Sequence, residues 1–283
     1  MSIPCKKNLT VQNAAAYLLS IILLLLVLMP FAVAVLASLK PTEDFYLTSF
    51  HLFPSRWQFS NYITALNFTI FTTFLKNSLV CAIAVTIVGT LLSSCAAFGF
   101  ARIRFFGRNT LFYLFILTQG IPFAVLCIPT YAMFARAKLV NTIWGLILPM
   151  MAFPMGTFLL RQTMLSIPMD YENAALIDGC NRPRMFTSVF LPMTKNTIIA
   201  VAIFAFMQSW NNYIWPLIII NDKEMYTLPL GLTLYNIHGS MSRRPEWSII
   251  LAACVMSVLP ILIVYSVASR NFMEGITMGG LKG

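Results

Sequence analysis

Six stretches of this chain carry no charged side chain: Asn8–Leu39, Asn77–Ala101, Asn109–Ala135, Leu139–Leu160, Asn196–Asn221 and Trp247–Ser269. A helix gains about 1.5 Å per residue, so crossing about 30 Å of hydrocarbon takes roughly 20 residues. Every one of these runs is long enough. Only 10% of the 283 residues are charged, against about 25% in an ordinary soluble domain, and the mean hydropathy is +0.79. Most of the surface therefore faces something other than water. The pattern predicts an all-α membrane protein, one transmembrane domain over residues 1–283, with spans near 14–39, 77–101, 109–132, 141–160, 196–220 and 248–269. Pro122 and Pro129 fall in the third run, which should bend or stop early there.

The first span has Lys6 and Lys7 ahead of it and small residues in "AVAVLAS" behind it, as a signal peptide would. Its apolar run exceeds the 7–15 residues usual for such a peptide, so an uncleaved helix is expected. Lys and Arg bias sets orientation. With the N-terminus inside, the inner segments hold eleven basic residues, against eight in the outer ones. The bias is sharpest in "RIRFFGR", Arg102 to Arg108. Both termini and a loop over 161–195 then lie on the cytoplasmic side of the membrane. The net charge of +10 reads as topology plus attraction to anionic lipid headgroups, not as nucleic-acid binding. The six cysteines form no close pair, and His51 and His238 have no ligand-like neighbours, so neither a disulfide nor a metal site is expected.

No Asp, Glu, Lys, Arg or His sits in the middle of a span. Proton-coupled pumps and voltage sensors usually need such groups, although sodium sites built from carbonyls and hydroxyls do not. A phosphate loop of the G-x-x-x-x-G-K-[ST] type is also missing. Uphill transport would then draw its energy from another polypeptide through a cytoplasmic contact.

The segment "DYENAALIDGCNRPRMFTSVFLP", residues 170–192, suits that contact. Pro168 fits a first helical turn, and Asp170 and Glu172 complement the positive end of the dipole. Gly179 is a natural stop, Asn181 a cap for a second helix, and Pro183 belongs in its first turn. Met185, Phe186, Val189 and Phe190 make one greasy stripe, which Leu191-Pro192 should end. A helix–turn–helix of this shape fits a groove on a partner. It would equally suit an amphipathic loop lying on headgroups.

"NAALIDGCNRPRMFTSVFLP" resembles the EAA loop of the permease subunits of binding-protein-dependent ABC importers. Ala174, Ala175, Gly179, Leu191 and Pro192 match in register, with Val189 standing for Ile. "LASLKPTEDF", "SWNNYIWPL" and "NFMEGITMGGLKG" are similar to the carbohydrate-import branch, of the maltose-permease second-subunit type. The resemblance implies the type I ABC importer permease architecture, with a coupling helix that docks into a cytoplasmic ATPase. It implies a second permease subunit, two ATPase subunits that hold ATP and Mg, an extracytoplasmic solute-binding protein, and no cofactor or catalysis on this chain. The docking residues it implies are Glu172, Asn173, Ala174, Ala175, Asp178, Gly179, Arg182, Arg184 and Pro192. Asn173 replaces the family's Glu. Glu172, about 100° around the helix, or Asp178 is then the candidate carboxylate.

For the solute path, Gln208, Asn211, Asn212 and Trp215 recur at helical spacing in "FMQSWNNYIWPL". Amides bond hydroxyls and an indole packs on sugar C–H faces. The same residues could instead glue helices together or, for Trp215, anchor at the interface. The solute class implied is a mono- or oligosaccharide. A stand-alone channel or sodium-coupled carrier would explain six spans but not the docking motif.

Overall fold

The computed structural model describes residues 11–49, 51–67, 70–238 and 246–280. Lys6, Lys7, Arg243, Arg244 and Lys282, which entered the orientation count, lie outside them. No strand occurs among the described residues. The chain forms two compact units, 1–68 with 235–256, and 69–234 with 257–283.

In the first unit α1 (Val11–Ser38) is apolar all round, and Leu18 to Met29 are all at least half exposed. A helix of this kind belongs in lipid or against other helices. Asn61, buried on α2 (Ser60–Asn67), donates to the carbonyls of Ser38 and Lys40 at 2.8 and 2.9 Å. Carbonyls at the C-terminal end of a helix need partners of this kind. The Ser38 hydroxyl meets Tyr62 Oη at 2.7 Å, and Thr42 meets Ser248 at 2.9 Å.

The second unit is built on α3 (Phe71–Arg102), which starts six residues ahead of the predicted span. The third span is a bent pair, as Pro122 suggested: α4 (Arg108–Leu117) and α5 (Phe123–Arg136) meet at 103°. Pro129 lies inside α5 without ending it. The chain then turns through Lys138 and Asn141, both with positive φ, where Asn is among the better-tolerated residues. The fourth span is α6 (Ile143–Met151) followed by α7 (Pro154–Ser166), with Pro154 in the first turn of α7.

Next come α8 (Met169–Ile177), α9 (Arg182–Met185), a π turn over Phe186–Phe190, and α10 (Leu191–Met193). The fifth predicted span is not one helix. It is α11 (Lys195–Trp210), a break at 211–213, and α12 (Ile214–Ile219). Pro216 brings no N–H, and the Asn212 side chain accepts from Trp215 N at 3.4 Å to start the new turn. Finally α13 (Leu228–His238) leads to α14 (Trp247–Gly280), which runs past the expected end at 269. By length and composition four helices can cross a membrane, or six if each bent pair is one span.

Two cores share α3. One joins Ala97, Phe98 and Ala101 to Leu160 and Met164 of α7, Val201 and Ala205 of α11, and Ala175, Met185 and Phe190 of the 169–193 segment. The other joins Cys81 and Val85 to Leu146, Ile147, Trp215, Ile219 and Ile220. Small residues let the helices approach: Ser93 donates to Phe153 O at 3.2 Å, and Ala97 is fully buried. Gly99, on the same helix, has open space around it.

A Cβ on Gly156 would fall 2.5 Å from Phe153 and 2.7 Å from Val201. Gly156→Val should therefore cost about 1–3 kcal/mol through overpacking, read as a lower unfolding midpoint in detergent. Gly99→Val, placed in open space, should leave the midpoint nearly unchanged.

Candidate functional site

The 169–193 segment folds as its residues direct. Pro168 precedes α8, Asp170 and Glu172 stand in its first turn, and Gly179 turns the chain with φ +74°. Asn181 Oδ1 accepts from Arg184 N at 3.0 Å, capping α9 with Pro183 in the first turn. The greasy stripe faces the chain's own core, not headgroups: Met185 and Phe190 are fully buried, with Phe186 and Val189 packed against them. Phe98 of α3 lies 5.2 Å from Phe186 and 5.1 Å from Phe190 between ring centroids.

Pro192 does not end this helix. The π turn ahead of it closes Leu191 N onto Phe186 O, which widens the ladder where a proline ring would strike a carbonyl. The chain continues to Met193, breaks at Thr194, and turns 83° into α11.

The outward face of α8 is bare. Asn173, Ala174, Asp178 and Gly179 are exposed, as are Arg184 and Pro192 further on. Tyr171, Leu176 and Ile177 expose 52%, 48% and 86% of their surfaces. Ala175 is buried against the core. Glu172 departs from its assigned place. It is 5% exposed and turned inward, so its carboxylate is not on the exposed face of α8 where the resemblance placed it.

Its partners are two arginines. Arg182 Nη1 donates to Glu172 Oε1 at 2.5 Å, and Arg102 Nη1 lies 3.5 Å from Oε2. Arg182 keeps 47% of its side chain exposed, whereas Arg102 keeps 4%. Arg102 ends α3, and Nη2 also donates to Met164 O and Ile167 O at 2.6 and 2.5 Å, at the C-terminal end of α7. That is where a cation satisfies orphan carbonyls and the dipole together. Arg102 entered the sequence analysis only as a topological charge. Its lone linear signal is its place as the first charge after a span. Nothing in spacing links it to Glu172.

A second feature is a cleft of about 640 Å³ at the break between α11 and α12. Gln208, Asn211, Asn212 and Trp215 all line it, with Phe123, Thr130 and Met150 across from them. They do not share one continuous helical face, because the helix stops at Trp210. The break itself turns them to one opening. Their roles differ. Trp215 is 2% exposed, donates from Nε1 to Gly145 O at 2.9 Å, and meets Phe123 and Phe134 edge-on. It is a wall, not a surface anchor. Asn212 donates to Met150 Sδ at 3.0 Å and accepts from Trp215 N at 3.4 Å. Gln208 and Asn211 are exposed to the cleft. Irregular backbone at membrane depth is tolerated where it lines a cavity. The lining carries no charged side chain. No cluster of metal-ligating residues occurs among the described residues.

Broken helices around an uncharged cleft, joined to a segment packed on the span ends, define a membrane transport subunit. The chain belongs to the binding-protein-dependent transport system inner membrane component family, whose model matches residues 89–276. It is 32% identical to the arabinooligosaccharides transport system permease protein AraQ of Bacillus subtilis, covering 97% of each chain. It is 34% identical to the protein of the same name from Halalkalibacterium halodurans, over 88% of this chain and 89% of that one. The sn-glycerol-3-phosphate transport system permease protein UgpE of Yersinia pestis is 31% identical over 92% and 94%. The fold matches a chain of a bacterial ABC transporter involved in alginate import, with TM-score 0.81 and 19% identity over 96% of this chain and all of that one.

Removing one partner of a buried ion pair costs about 3–5 kcal/mol, because the other charge is left stranded. Glu172→Ala should cost stability of that order, read as a clearly lower thermal midpoint in detergent. Asn173→Ala, one residue along on the exposed face, should cost no more than about 0.5 kcal/mol and leave the midpoint nearly unchanged.

Proposed function

We propose that this chain is the membrane-spanning subunit of an ATP-driven importer of neutral oligosaccharides. It forms half of the translocation path with a second permease subunit. Two cytoplasmic ATPase subunits holding ATP and Mg dock on the 170–192 segment, and an extracytoplasmic binding protein delivers the solute. Both termini lie in the cytoplasm. The observation that carries the reading is the bare outer face of α8: Glu172, Ala175, Met185 and Phe190 of the segment are buried, while Tyr171, Leu176 and Ile177 are left in the open beside Asn173, Ala174 and Asp178. Apolar side chains displayed around a left-handed turn at Gly179 suit a groove on a protein partner. No charged group in the middle of the spans supplies another energy source. The outer face lacks the family's Glu, so docking is driven mainly by apolar burial, with Asp178, Arg182 and Arg184 as the polar rim.

Closure of the ATPase pair would draw the docked helices together and switch the spans between inward-facing and outward-facing arrangements. The solute biases that equilibrium only through contacts that differ between the two states. Support for a sugar comes from the names of the relatives and from the cleft. Exposed amides of Gln208 and Asn211 beside an aromatic wall suit hydroxyls and C–H faces. The lining offers no cation for a phosphate, which favours a neutral polyol over an anionic one.

The test is to co-express the chain with its transport partners, reconstitute it in proteoliposomes, and follow ATP hydrolysis and uptake of radiolabelled arabinotriose. Hydrolysis and uptake that require the ATPase support the reading, while uptake by the chain alone refutes it. Gly179→Trp should insert normally but abolish uptake, since φ +74° strains any L side chain and the indole would crowd the docking tip. Asn211→Ala should raise the apparent KM by about tenfold, the loss expected for one direct hydrogen bond to solute, with basal hydrolysis unchanged.

A further inference from the structure

Arg102 stands where α3 meets α8, and its guanidinium touches four pieces of chain. It donates to Met164 O in the last turn of α7, to Ile167 O just after it, and to Met169 Sδ at 2.8 Å at the start of α8. It lies 3.5 Å from Glu172 Oε2 on the inner face of α8, and 5.0 Å over the Phe190 ring. Almost none of this is exposed to solvent. Elsewhere α8 is held to the core by Ala175, a small apolar contact. Apolar burial is non-directional and lets surfaces slide. A desolvated ion pair resists sliding, because its attraction is not diluted by water.

The pair is also not fully closed. Glu172 Oε1 is bonded by Arg182, but Oε2 and Arg102 Nε are buried without a hydrogen bond. The 3.5 Å separation exceeds a charge-assisted bond of about 2.8 Å. A sub-ångström approach of α8 to α3 would complete it. Downstream, α3 is common to both cores. It packs by Ala97, Phe98 and Ala101 against α7 and α11, and Cys81 and Val85 share a buried cluster with Leu146 and Ile147 of α6 and Trp215 at the cleft wall.

We propose that the buried Arg102–Glu172 pair is the joint through which movement of the docking helix α8 enters α3 and reaches the cleft. Glu172 is thus a positioning residue inside this chain, not a contact to the ATPase. The proposal rests on the reading that α8 docks on an ATPase.

The test uses the complete transporter in proteoliposomes and reads the ratio of arabinotriose imported to ATP hydrolysed. Glu172→Gln keeps the shape and removes the charge. Its ratio should fall about tenfold or more, the weight of a hydrogen bond to a charged group, with hydrolysis by the assembled complex near the wild-type rate. In a background freed of the native cysteines, Arg102→Cys with Glu172→Cys should show the same low ratio. Bridging the two thiols with a short bis-methanethiosulfonate should restore it, and reductant should abolish it again. A role confined to folding would lower hydrolysis and import together and would not respond to the bridge. A wild-type ratio in assembled Glu172→Gln overturns the proposal. So does an unchanged ratio between bridged and reduced cysteine pairs, which decides the matter if Glu172→Gln fails to assemble. Absence of ATP-dependent import by the wild-type complex would instead defeat the docking reading.

Discussion

In hydrocarbon every backbone N–H and C=O must find its partner within the protein, and this constraint governs where the chain is helical and where it stops. The long uncharged runs satisfy it by helix alone. Each interruption needs a substitute. At 211–213 the substitute is the Asn212 side chain together with a cleft. Ahead of Pro192 it is a π turn, and at the end of α7 it is the guanidinium of Arg102. The departures from regular structure thus fall at the two candidate sites. One break opens the cleft between α11 and α12, and another interruption lies in the 169–193 segment.

The two sites are linked by a single helix. α3 begins near the loop at 221–228, where Asn77 and Ser78 bond Glu224 O, Tyr226 O and Leu228 N. It ends at Arg102, against the docking segment. Between these ends it shares buried clusters with α6, α7, α11, α12 and the 169–193 segment. A displaced rigid rod with few cavities around it transmits strain rather than absorbing it. An apolar face exposed at one end and exposed amides near the other are what such a rod would connect.

Much of the docking segment could be read from its residues, because its signals are local. Gly179 adopts positive φ and Asn181 caps α9 within three residues of where each acts. The stripe Met185, Phe186, Val189 and Phe190 was legible as a stripe, but its target was not, since an apolar face does not say what covers it. The expectation that Pro192 would end the helix failed for a local reason of another kind: a π turn can absorb a proline that an α ladder cannot. For the cleft, the four residues do line one opening but not as one helical face, because helical spacing assumed a continuity that the break at 211–213 removes.

By itself the sequence determined that the chain lives in a membrane as helices, and that residues 170–192 form a capped turn. Hydrophobic run length and capping chemistry act over a few residues and leave a one-dimensional record. Only the tertiary structure decided that Glu172 turns inward to Arg102, that Trp215 is a wall, and that one helix serves both cores. Those outcomes depend on which distant side chains share a desolvated space. There a buried charge must find its opposite or lose several kcal/mol, and sequence spacing does not encode that pairing.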